Sequence, residues 1–176
     1  HGKEIAHALS EKLAKIQVRA YDDPHAELAA FANPDVPDRI SGMIDNLLKT
    51  PGATDTTEKV RGTPRLVKEG RCAWLLPAIV HCETYDHPLA NKEFLFPYAS
   101  VVECPQDDMV KLIGPTLVAT AITENKDFAH VLLNSTNVDR LNLGPIPTNR
   151  LTWDQPHEGN LFTHLYKQRA YQQSGF

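Results

Sequence analysis

Cysteine is scarce in this chain. Its 176 residues contain only three, Cys72, Cys82 and Cys104, an odd number too small for the disulfide framework of a small secreted domain. Reduced thiols in a cytoplasmic protein are the simpler expectation. Long apolar runs are missing too: none approaches the roughly 20 residues a membrane-spanning helix needs, so no membrane partner is expected. Nor is there a basic excess. The formal net charge is −4, and the lysines and arginines are scattered. A nucleic-acid partner is not expected, because phosphates must be met by a basic face. The first residues, His1-Gly2-Lys3-Glu4, show neither a signal peptide nor an initiator methionine. They enter a helical pattern at once, so the start is expected to be a cut rather than a natural beginning. With 41% hydrophobic residues, a chain of this length can bury one core, and residues 1–176 read as a single domain.

Several catalytic motifs are absent as well. There is no G-x-G-x-x-G, no G-x-x-x-x-G-K-[ST] and no G-x-S-x-G, which removes the usual phosphate loops and the serine nucleophile elbow. Cys72, His81, Cys82 and His87 lie close in sequence, but their spacing matches no structural-zinc pattern. His81 and Cys82 are adjacent on an expected strand and should point to opposite faces. A buried thiol and a surface imidazole are expected there, and no metal. Cys82 and Cys104 fall at the ends of expected strands, where α/β enzymes often place reactive groups. Neither adjoins a glycine-rich turn or a helix start that would acidify a thiol, so no catalytic residue is assigned in this chain.

What is present is an alternation of helices and strands. Ile5, Leu9, Leu13 and Ile16 form a helical stripe, expected to face the core. Pro24 and Pro34 bracket a short piece through Leu28 and Phe31 that also reads as helical. After Pro37, Ile40, Met43, Ile44, Leu47 and Leu48 share one helix face, with Gly52 beyond its end. Residues 53–72 are polar and broken by Gly62, Pro64 and Gly70. Four β-prone runs follow, at 74–80, 99–103, 117–122 and 138–143. Two are nearly continuous in apolar character, as in strands covered on both faces. Between them, 107–113 reads as a helix closed by Gly114, and Asn125 reads as the cap of a helix carrying Phe128, Val131 and Leu132. A last helix is expected from about residue 159. The expected fold is α/β, a three-layer α/β/α domain with a mixed, mostly parallel sheet.

Two local features stand out. Asn91-Lys92-Glu93-Phe94-Leu95-Phe96-Pro97 sets an acid between a turn and a strand, where a carboxylate can accept hydrogen bonds from vicinal hydroxyls or simply sit in solvent. Trp153-Asp154-Gln155-Pro156-His157-Glu158-Gly159-Asn160 packs polar and aromatic groups ahead of a helix start, as a ligand site or an ordinary capped terminus. In this order the segments resemble the aldehyde dehydrogenase superfamily. Leu76-Pro77 through Val102 resembles its strand, turn, E-x-F-G-P and strand. Gly114 to Thr123, the helix at Asp127 to Ser135 and Val138 to Gly144 resemble the elements that follow. Pro156-His157-Glu158-Gly159 stands where the family has P-F-G-G.

The resemblance implies oxidation of an aldehyde by NAD or NADP, through a cysteine thiolate and a glutamate-activated water that lie before this chain. The chain would be the C-terminal part of the catalytic domain, inactive alone, from an enzyme that associates as a dimer or tetramer. Glu93 matches the acid that binds the ribose next to the nicotinamide. Leu95 stands where an aromatic contacts the cofactor, and Phe96 where the family has glycine. Trp153 and His157 would line the mouth for a small-molecule aldehyde, with His157 in the place of an aromatic. The rival readings are a non-catalytic truncated homologue serving as an oligomerisation module and an acylating, coenzyme-A-dependent relative.

Overall fold

The computed structural model describes residues 1–152 and 170–175. The chain divides into two compact units, His1–Glu103 and Cys104–Phe176, each described by itself.

The first unit opens with α1 (Gly2–Leu13) and α2 (Asp35–Leu47), followed by β1 (Ala53–Asp55) and the short α3 (Thr56–Arg61). Strands β2 (Leu66–Glu69) and β3 (Cys72–Leu75) then form an antiparallel hairpin. Glu69 pairs with Cys72 across a two-residue loop whose first position, Gly70, has φ 58°, a left-handed conformation that glycine adopts without a Cβ penalty. Strand β4 (Ala78–Cys82) lies between β1, which is antiparallel to it, and β5 (Tyr98–Val102), which is parallel. Every residue of β4 is buried, as the centre of a sheet covered on both faces requires. Ile44 of α2 joins Val80, Cys82, Leu89 and Ala90 in the core, with Phe94, Phe96 and Tyr98 packed around it.

Three expectations need correction here. The apolar stripe of α1 does not face the core: Ile5 and Leu9 are exposed, and Ala6 and Ser10 are buried instead. Small side chains let this helix approach closely, and Ser10 Oγ meets Thr57 Oγ1 of α3 at 3.0 Å. The same Thr57 oxygen accepts the backbone N–H of Ile79 at 2.9 Å, so a buried hydroxyl pair ties helix to helix to strand. Residues 24–32 are not helical; Phe31 N–H donates to the Ala73 carbonyl at 2.9 Å, pinning the segment beside β3. The single run expected at 74–80 is split, because Pro77 has no N–H and Leu76 N–H is taken by the Arg65 carbonyl.

The second unit contains α4 (Gln106–Ile113), β6 (Thr116–Ala121), α5 (Lys126–Asn134), β7 (Val138–Leu143) and β8 (Ala170–Gln173). Its three strands run parallel in the order β6-β7-β8. The Asn125 side chain accepts from the N–H groups of Asp127 and Phe128 at 3.0 and 3.1 Å, the expected cap. Leu132 of α5 packs with Val138, Leu141 and Leu143. Both units are α/β, with mixed pairing overall, in agreement with the expected class. Among the described residues, no helix is long and apolar enough to cross a membrane. The helix expected from residue 159 lies outside the described residues.

Candidate functional site

The segment that carries Glu93 is built on a rigid base. His87 Nδ1 accepts the N–H of Leu89 at 3.1 Å, which leaves Nε2 to donate to the Thr50 carbonyl at 3.2 Å. The carbonyls of Leu89 and Ala90 are held by Tyr98 Oη (3.1 Å) and Ser100 Oγ (2.8 Å) of β5. Burial pushes the Tyr98 phenol well above its ordinary range, so it stays a donor. Beyond this anchor the chain alternates. Phe94 and Phe96 turn inward onto Tyr98, with ring centroids 4.8 and 5.9 Å from it, while Glu93 and Leu95 are exposed. Leu95 is 88% exposed. The Glu93 carboxylate is exposed, with no hydrogen-bond or ion-pair partner among the described residues. The structure therefore brings Glu93 and Leu95 to one exposed edge ahead of β5. Trp153 and His157 lie outside the described residues.

The cysteines are placed differently from one another. Cys82 is fully buried and burial pushes its thiol up to about 11, so it is held neutral and suited to packing rather than attack. Burial also raises Cys104, whereas Cys72 is exposed. His81 is not the surface imidazole expected: it is buried, and its Nε2 lies 3.0 Å from Oε1 of Glu103. Cys82 points instead into the core, where its Sγ is 3.9 Å from His87 Nδ1. Among the described residues, no group of three His, Cys, Asp or Glu could hold a metal ion.

Sequence reasoning also passed over two buried guanidinium groups. Arg65 contacts Asp45 at 2.6 Å, Asp55 at 2.9 Å and Glu58 at 3.0 Å, and also donates to Ser41 Oγ. These carboxylates line an open cleft of about 590 Å³, but they are already committed to Arg65. In the second unit Arg140 donates to the carbonyls of Thr148 (3.0 Å) and Arg150 and approaches Gln172 Oε1 at 3.4 Å. Beside it, Asn142 Nδ2 donates to Thr120 Oγ1, which donates to the Ile146 carbonyl. A polar row on β6 and β7 thus holds the chain that follows β7, from Ile146 to Arg150. Nothing local in the sequence signalled these pairs, whose members lie seven to 32 positions apart.

Known structures resemble this fold. A 3,6-anhydro-L-galactose dehydrogenase in complex with NAP matches 82% of the chain at a TM-score of 0.61 and 16% identity. An aldehyde dehydrogenase variant from Bacillus cereus matches 84% at 0.63, again at 16% identity. The chain has the fold of part of an aldehyde dehydrogenase. It spans only 31% and 30% of the lengths of those two structures. No family model matches the chain, and no curated protein matches it significantly. At this identity the aldehyde dehydrogenase likeness is one of fold, and it extends across most of the chain.

Proposed function

We propose that this chain is the C-terminal part of the catalytic domain of an NAD(P)-dependent aldehyde dehydrogenase, with Glu93 and Leu95 toward the cofactor and Trp153 and His157 toward the aldehyde. The observation that carries the reading is the shared fold over 82–84% of the chain, joined to an exposed carboxylate, without a partner among the described residues, at the position that the family resemblance marks. The residues present fit one part of a dinucleotide. An outward carboxylate on a backbone held by Tyr98, Ser100 and His87 can accept two hydroxyl hydrogens of a ribose at little ordering cost. When bound, the nicotinamide would supply the hydride acceptor. The part of this chain is orientation: Glu93 holds the sugar, and Leu95 offers an apolar surface beside it. That one neighbour was solved with NAP, an NADP-type ligand, supports a nicotinamide dinucleotide.

The test uses the polypeptide encoded by the complete parent gene, assayed for aldehyde-dependent formation of reduced cofactor. Glu93→Gln is expected to raise the KM for the dinucleotide about tenfold, the cost of losing charge-assisted hydrogen bonds, and to leave the KM for aldehyde unchanged. Absence of aldehyde-dependent reduction would overturn the reading, as would an unaltered dinucleotide KM in the variant. The 176 residues alone should show no turnover, since a single ribose contact cannot order a dinucleotide.

A further inference from the structure

The cleft between α1, α3 and the β1–β4 pair is separate from the Glu93 edge and is chemically unlike it. Its volume is about 390 Å³, and Lys3, His7, Thr54, Thr56, Lys59, His81 and Glu83 contribute to its lining. His81 comes from the carboxyl end of β4, beside its parallel neighbour β5, where open α/β sheets bind ligands. It is only 6% exposed, and burial of an imidazole is costly unless a partner meets it. Glu103 meets it at 3.0 Å. That hydrogen bond holds the Glu103 carboxyl below its usual range, so an anion stands behind the imidazole.

Of the other charges facing the cleft, one lysine is left without a carboxylate partner among the described residues. From α1, Lys3 lies 3.9 Å from Glu83 and His7 lies 3.8 Å from Glu11. Lys59 of α3 has no carboxylate within ion-pair distance among the described residues, so two lysines face one lining glutamate. Hydroxyls from Thr54 and Thr56 add neutral donors. We propose that this cleft binds a small oxyanion, a phosphate monoester or a carboxylate, between Lys59, Lys3 and the His81–Glu103 dyad. A groove that merely faced solvent would have no need of a buried imidazole backed by a carboxylate. The proposal is independent of the aldehyde dehydrogenase reading.

The experiment is an NMR titration of the histidine ring signals of the full 176-residue chain at about pH 6.5, near the ordinary histidine midpoint. Inorganic phosphate and acetate form separate arms, with chloride at matched ionic strength as the control. A saturable shift of the His81 signals is expected in at least one anion arm. Saturation by phosphate alone assigns the phosphate class, and saturation by acetate assigns the carboxylate class. Lys59→Ala, at an exposed position, should weaken binding about fivefold, the upper range for one partly exposed ion pair, with an unchanged thermal melt, and Lys59→Arg should restore it. No saturation beyond the chloride control would overturn the proposal, and so would equal affinity in Lys59→Ala.

Discussion

Each compact unit buries one arginine almost completely, Arg65 at 2% exposure and Arg140 at 0%, and the two are satisfied by different chemistry. Arg65 is met by three carboxylates and a hydroxyl. Its own carbonyl also accepts Leu76 N–H, so the group joins α2, α3 and the β2–β3 hairpin. Arg140 is met by two backbone carbonyls and an amide oxygen. Counter-charges in the first case and dipoles in the second place the two groups differently when one partner is lost. The Asp55 side chain is only 5% exposed, and would be left as an isolated buried charge. Thr148 and Arg150 are exposed, so their carbonyls can return to water.

The contrast is sharpest for removal of the guanidinium. Arg65→Met should destabilise the first unit by about 3–5 kcal/mol, the cost of breaking a buried ion pair from one side; urea unfolding monitored by Trp74 fluorescence measures this. A loss below about 1 kcal/mol would mean that Asp55 rehydrates and the distinction fails. Arg140→Met should cost about 1–3 kcal/mol and act locally. Trypsin cleavage after Arg150 should accelerate while the far-ultraviolet circular dichroism stays unchanged. A global collapse in that variant would put Arg140 in the same class as Arg65.

The smallest effect concerns a group that is buried without charge. The Cys82 thiol is pushed up to about 11, against an ordinary value of 9.0, so the folded state keeps its proton where the unfolded chain gives it up. Its contribution to stability is complete below pH 9 and is lost as the pH rises toward 11. Under native conditions near neutral pH, iodoacetamide should modify the exposed Cys72 and spare Cys82, as mass spectrometry would show. Modification of Cys82 at a comparable rate would contradict its burial.

What the sequence revealed follows the range of the forces involved. Strands β5, β6 and β7 and helices α4 and α5 were legible because apolar runs, Gly114 and the Asn125 cap are local signals. The β1–α3–β2 stretch was not. Each element has six residues or fewer, and they are held by Arg65 and by the Ser10–Thr57 contact, partners seven to 47 positions apart. The orientation of α1 misled for a related reason: hydropathy marks Ile5 and Leu9, whereas packing distance selects Ala6 and Ser10. His81 was misread because its partner Glu103 is 22 residues away. At the candidate site, Glu93 and Leu95 were visible through family resemblance. The anchors beneath them, His87, Tyr98 and Ser100, were not, since their roles are hydrogen bonds to carbonyls that carry no side-chain signature.

Gly144 sets a limit on how this molecule can vary. Its φ is 94°, and a methyl group there would run into Ser174, while its N–H donates to the Ala121 carbonyl and Ser174 N–H donates to that of Leu143. Three strand ends therefore converge on a residue that has no room for a side chain. Insertions and replacements should accumulate after this knot, along the exposed Pro147–Arg150 stretch, before they are tolerated at it. Diversity among relatives would then begin where the chain leaves residue 144 behind, and the sheet beneath would be inherited unchanged.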